Sequence, residues 1–120
     1  MLADYRTKYK QEQGFDWSLA HKIMDRLPEG KWTGYYYLAE AVGTSAQAVA
    51  NHLVTCGICV NAYRVLTWDG HIAAGFHRAD PTDDRDTQAV LEAEGVSFAI
   101  GAADPEAKLT ADDLLALAED

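Results

Sequence analysis

The stretch from Tyr35 to Thr55 constrains the fold more than any other. Apolar residues recur at helical spacing in two short runs: Leu38, Ala41 and Val42 in the first, and Ala46, Val49, Ala50 and Leu53 in the second. Gly43 between them is a helix stop, and Ser45 is a good N-cap for the second run. The spacing predicts one helix over about Tyr35 to Val42 and another from Ala46 to about Thr55. Two short helices joined by a tight turn containing glycine form a helix-turn-helix pattern. On the second helix Gln47, Ala48, Asn51 and His52 fall on the side away from the apolar stripe.

The flanking segments fit around that pair. Residues 1–14 are polar and mixed in charge and read as a lead-in. Phe15, Leu19, Ile23 and Leu27 recur every four residues, with Ala20 and Met24 alongside, and predict a helix. Asp16 or Ser18 can cap it, and Pro28-Glu29-Gly30 stops it. Lys31-Trp32-Thr33 is a short extended piece. After Gly57 the period changes, and Ile58-Cys59-Val60 and Tyr63-Arg64-Val65-Leu66 read as short strands. Asp69-Gly70 marks a hairpin turn, with His71-Ile72-Ala73 as the return strand. A further helix is expected around Asp84–Glu94, ended by Gly95. Thr110-x-x-Asp113 is a capping-box-like start to a short acidic amphipathic helix. The expected fold is mainly α with a small β hairpin, a winged helix-turn-helix-like domain over 15–98. Residues 99–120 are expected to be an acidic C-terminal tail.

At 120 residues the chain is long enough for one core. No apolar run approaches the roughly 18 residues of a membrane span, and the first residues lack the apolar stretch of a secretory signal. Cys56 and Cys59 sit too close together to staple a fold, so free thiols and a cytoplasmic location are expected. The net charge of −9 lies almost wholly in residues 79–120, where twelve carboxylates face Arg85 and Lys108. The first two thirds are close to neutral. That permits a DNA-facing surface without the basic footprint such surfaces usually carry.

Cys56-Gly57-Ile58-Cys59 has His52 four residues upstream. Zinc needs four ligands in a closed site, and His21, His52, His71 and His77 show no helical pair at metal spacing. The two cysteines therefore read as buried structural thiols. Pleating of a strand sends Cys59 to the face opposite Ala62. No metal and no cofactor is expected. There is no phosphate-cradling glycine loop and no nucleophile elbow, and the carboxylates of the last third read as solvated faces.

Several landmarks fall in order: Leu27-Pro28-Glu29-Gly30-Lys31, Gly34-Tyr35-Tyr36-Tyr37-Leu38-Ala39, Val42-Gly43, Gln47-Ala48-Val49, Asn61-Ala62-Tyr63-Arg64-Val65, Asp69-Gly70 and Val90-Leu91-Glu92-Ala93-Glu94-Gly95. From about Phe15 to Phe98 this order resembles the DNA-binding domain of alkylguanine-DNA alkyltransferases. It is closer still to the alkyltransferase-like proteins, which lack the reactive cysteine. Members of that family flip a damaged base into a pocket beside the winged helix. The resemblance matches Tyr35 to the tyrosine that crowds a DNA phosphate; packing of the helix hairpin is its other reading. Gln47 stands where the family has the arginine that replaces the extruded base, and it carries no charge. Asn61-Ala62-Tyr63-Arg64 stands in place of Pro-Cys-His-Arg, so both the nucleophile and its activating histidine are missing. Thiolate chemistry needs that pair. Ala62 is expected to leave room in the base pocket and Tyr63 to fill core space or donate a hydrogen bond. Arg64 keeps the family residue and either braces the fold or contacts DNA. Ala73-Ala74-Gly75-Phe76-His77-Arg78 occupies the family's pocket-lining loop. There Phe76, His77 and Arg78 can stack on and hydrogen-bond a flipped base, or Arg78 can pair with Asp80, Asp83 and Asp84.

The resemblance implies a non-enzymatic protein whose partner is double-stranded DNA carrying an alkylated or modified base, which it presents to other factors. Tyr35, Gln47, Ala48, Asn51, Arg64 and Arg78 are the candidate DNA contacts. Ala62, Tyr63, Phe76 and His77 are the candidate base pocket. The alternative is a winged-helix protein-interaction module that has lost lesion recognition, with the Leu114-Leu115-Leu117 helix docking on a protein partner. A tail folded over the DNA face would be inhibitory.

Overall fold

The computed structural model describes residues 15–56, 58–74, 76, 82 and 84–120. Within them the chain is mainly helical with a small sheet. Helix α1 spans Ser18–Arg26 and buries Ala20, Ile23 and Met24. Asp16 Oδ1 accepts from the Ser18 amide at 2.9 Å, ahead of the first turn. Leu27 turns to extended backbone (ψ 113°), as the residue before a proline must, and the helix ends there.

Strand β1 (Trp32–Gly34) is buried along its whole length and runs straight into helix α2 (Tyr35–Val42). Gly43 closes α2 with φ +83°, and its amide bonds to the Ala39 carbonyl at 2.8 Å. A Cβ there would meet nothing, so the left-handed φ alone favours glycine. Helix α3 (Ala46–Thr55) begins at Ser45, whose hydroxyl accepts from the Ala48 amide. The pair α2–α3 forms with the expected bounds, and Leu38, Ala39, Val49 and Leu53 join it to the first core cluster.

The sheet departs from expectation. A 3-10 turn (Ala62–Arg64) leads into strand β2 (Val65–Leu66), which pairs parallel to β1 with Thr33 opposite Val65. Parallel pairing needs a long crossover, and α2 and α3 supply it. Ile58-Cys59-Val60 forms no strand, and Ile58 and Val60 are exposed. The Asp69-Gly70 turn does close, with the Thr67 amide on the His71 carbonyl at 2.9 Å, yet His71-Ile72-Ala73 forms no return strand. The turn is held instead by Ala103, whose amide bonds to the Gly70 carbonyl at 2.9 Å. A Cβ on Gly70 would lie 2.9 Å from that same amide nitrogen.

The acidic C-terminal third is part of the fold rather than a tail. Helix α4 (Thr87–Ala93) is capped by Asp86. Strands β3 (Phe98–Ala99) and β4 (Ala102–Ala103) form an antiparallel hairpin that sequence reading missed. After a second 3-10 turn (Pro105–Ala107), strand β5 (Lys108–Leu109) pairs parallel on the other edge of β1. The three-stranded order is β2-β1-β5. The Thr33 hydroxyl, fully buried, donates to the Leu109 carbonyl at 2.7 Å, so that polar group is satisfied.

Helix α5 (Ala111–Leu117) carries the capping box between Thr110 and Asp113. Its Leu114 is wholly buried in the first core cluster, so it is not free to dock on a partner. Asp120 pairs with Lys22 and Arg26 of α1. Residues 101–120 thus supply an edge strand of the sheet and a leucine of the core. No helix among the described residues is long and apolar enough to cross a membrane.

Candidate functional site: the outer face of α3 and a cysteine–histidine cluster behind it

Because the apolar stripe of α3 faces the core, its opposite side is left outward. Gln47, Ala48 and Asn51 line a groove of about 630 Å3, together with Ser45, Thr55, His52 and the aromatic pair Phe15 and Trp17. Three of the candidate DNA contacts thus fall on one surface. Gln47 Nε2 donates to Asn51 Oδ1 at 3.0 Å, one turn apart along the helix. No lysine or arginine lines the groove among the described residues.

Tyr35 stands elsewhere, half-buried against the first core cluster. Burial pushes its phenol above the ordinary tyrosine value. Arg64 is not on a DNA-facing surface: it is 6 % exposed, and its guanidinium is spent on three internal bonds. Nε and Nη2 donate to the two carboxylate oxygens of Glu94 at 3.0 and 3.1 Å, and Nη1 donates to the Leu27 carbonyl. Of its two readings, bracing the fold is what the structure gives. Arg78 and His77 lie outside the described residues.

The expected base pocket is also altered. Ala62 is 3 % exposed and sits within the first core cluster, so its small side chain opens no space to solvent. The cause is local. Residues 62–64 turn as a 3-10 helix instead of pleating as a strand, and the Ala62 amide bonds to the Cys59 carbonyl at 3.0 Å. Cys59 and Ala62 therefore share one core cluster rather than opposite faces. The Tyr63 hydroxyl donates to Glu94, and burial, then that hydrogen bond, raises its pKa. Phe76 packs partly buried against the first cluster.

Behind the groove lies an arrangement that sequence reading set aside. His21 of α1, His52 of α3, Cys56 at the α3 C-cap and Cys59 bring their donor atoms within 4.8 Å of one another. The two Nε2 atoms are 3.1 Å apart. Cys56 Sγ is 3.7 Å from His21 Nε2, and Cys59 Sγ is 3.6 Å from His52 Nε2. The sulfurs are 2.7 Å apart. Trp17 stacks on the His52 ring at 4.1 Å and nearly parallel, fixing its plane. Burial, then the charge of His21, lowers the His52 pKa. Burial pushes the Cys59 thiol far up.

These are soft and borderline donors from three places in the chain. The local signal in the sequence was His52-x3-Cys56-x2-Cys59. The fourth donor, His21, lies 31 positions before His52 on another helix, so a search for helical histidine pairs passes over it.

The chain matches no protein-family model, no curated protein and no solved structure.

Proposed function

We propose that this chain is a non-enzymatic DNA-binding module, similar to the alkyltransferase-like sensors, that engages duplex DNA carrying an alkylated or modified base. In this reading α2–α3 is the helix-turn-helix, and the chain around the Asp69-Gly70 turn takes the place of a wing. The observation that carries it is the outward face of α3. Gln47, Ala48 and Asn51 line one groove beside Phe15 and Trp17, and no lysine, arginine or carboxylate lines it among the described residues. Asparagine and glutamine side chains on a helix can pair with the edge of adenine, and an aromatic wall suits a stacked base.

The absence of chemistry rests on the turn. Ala62 and Tyr63 stand where the resemblance requires a nucleophile and its activator, and the Tyr63 hydroxyl is already held by Glu94. Cys59 offers no substitute, because its side chain is buried in the first core cluster, out of reach of a substrate.

The test is a fluorescence-anisotropy titration of duplexes with and without one O6-alkylguanine, at low and at physiological salt. Tighter binding to the alkylated duplex is expected. Equal and negligible binding to both would leave the protein-interaction module as the better reading. Asn51→Ala should weaken binding with little effect on the melting temperature, and an unchanged affinity would remove α3 from the interface.

A further inference from the structure

We propose that His21, His52, Cys56 and Cys59 bind one zinc ion in a closed site with two sulfur and two nitrogen ligands. The site would clamp the C-terminal end of α3 to α1. The four donor atoms already converge within 4.8 Å, three of the residues being half-buried and Cys59 buried. Tetrahedral zinc, with Zn–S near 2.3 Å and Zn–N near 2.0 Å, places sulfur–nitrogen pairs roughly 3.5 Å apart and the nitrogen pair roughly 3.3 Å apart. Two of the four sulfur–nitrogen separations, at 3.6 and 3.7 Å, and the nitrogen pair at 3.1 Å match those edges, with the remaining pairs within 4.8 Å.

The sulfur pair is the exception. At 2.7 Å it is closer than the roughly 3.8 Å of a tetrahedral edge. It is also well beyond the length of about 2.05 Å of a disulfide. Cys56, half-buried at the end of α3, is the partner placed to swing outward. Two imidazole nitrogens 3.1 Å apart, each beside a sulfur, serve a metal; a disulfide has no use for them. Thiolate and imidazole together select zinc over the hard cations. With four protein ligands the site has no open position for substrate, which makes it structural rather than catalytic.

The ligands lie on α1, on α3 and on the turn before Ala62, so one ion adds a link to those made by side-chain packing, the Asn61 Nδ2 bond to the Met24 carbonyl at 2.9 Å and the Arg64 bond to the Leu27 carbonyl. Metal binding of this kind contributes directly to folding. The inference is independent of DNA binding and stands or falls without it.

The experiment is metal analysis of the full chain purified under reducing conditions, followed by replacement with cobalt. About one zinc per chain is expected, and the cobalt form should show the strong visible bands of a tetrahedral ion with a thiolate charge-transfer band. Cys56→Ser and His21→Ala should each weaken zinc in a chelator competition by more than the tenfold to hundredfold that loss of a supporting partner costs. If those variants do not fold, the cobalt spectrum of the wild-type chain decides alone. Negligible zinc with no cobalt–thiolate band would overturn the proposal. So would a stable Cys56–Cys59 disulfide in the native protein, seen as two blocked thiols and a mass lower by two hydrogens.

Discussion

Arg64 and Glu94, 30 residues apart, face each other with both carboxylate oxygens engaged and both side chains almost wholly out of water. The guanidinium also reaches the Leu27 carbonyl, so one side chain joins the end of α1, the 3-10 turn and the end of α4. Removing one partner of such a pair leaves a buried charge behind. Glu94→Ala should cost about 3–5 kcal/mol, and the melting temperature should fall by on the order of 10 °C or more. Replacing both residues by methionine should recover much of that loss. Thermal melts of the three proteins check it, and a Glu94→Ala chain as stable as wild type would refute the brace.

Gln47→Arg tests the outer face of α3 by adding the charge it lacks. Gln47 is exposed, so stability should stay within about 0.5 kcal/mol of wild type. Affinity for duplex DNA should rise, and the slope of log K against log salt should become more negative by about 0.9 for one new phosphate contact. Titration at three salt concentrations reads both. An unchanged slope would place this face away from the phosphates.

Ile100 lies in the tight turn between β3 and β4 with φ +52°, fully exposed, followed by Gly101 at φ +75°. A β-branched residue tolerates that conformation badly, whereas asparagine adopts it readily. Ile100→Asn should stabilise the chain by about 1 kcal/mol. Chemical denaturation would show the midpoint move upward with an unchanged slope. A lower midpoint would mean that the side chain has a role the turn geometry does not reveal.

Asp120 accepts from Lys22 Nζ at 2.6 Å and from Arg26 at 2.8 Å. Those bonds, Lys22 first, lower its pKa to about 2 from the model-compound value of 3.8. A carboxylate with a depressed folded-state pKa stabilises the fold above its unfolded value near 3.8. That contribution is lost as pH falls through about 2. Carbon-detected NMR titration of the side chain should give a midpoint near 2, returning toward 3.8 in a Lys22→Ala, Arg26→Ala chain. A wild-type midpoint near 3.8 would show the contacts to be absent in solution.

The helical parts were legible because their signals are local. Gly43 and Ser45 bracket the turn between α2 and α3, and the Thr110–Asp113 capping box marks the start of α5 from four residues. The sheet was not legible. Its strands are two or three residues long, and β1 takes partners from 32 and 76 positions later, so nothing near Thr33 announces Val65 or Leu109. The Asp69-Gly70 turn formed as read, but Ala103 rather than the adjacent chain answers it.

Acidity also misled. Charge per segment made 99–120 look like a solvated tail, whereas Leu114 and the β5 pairing decide its place. His21 was not joined to the His52, Cys56 and Cys59 signal because tertiary convergence, not spacing, brings it there.

His52 lines the groove and contributes Nε2 to the cluster behind it, with Trp17 stacked on its face and lining the same groove. With zinc bound as proposed, the groove and the metal site would share an imidazole, and any coupling between them would be reciprocal. Whatever factor an occupant of the groove applies to metal affinity by turning or polarising that ring, the metal must return to the occupant in equal measure. In that state the outer face of α3 and the core behind it would not be tuned separately.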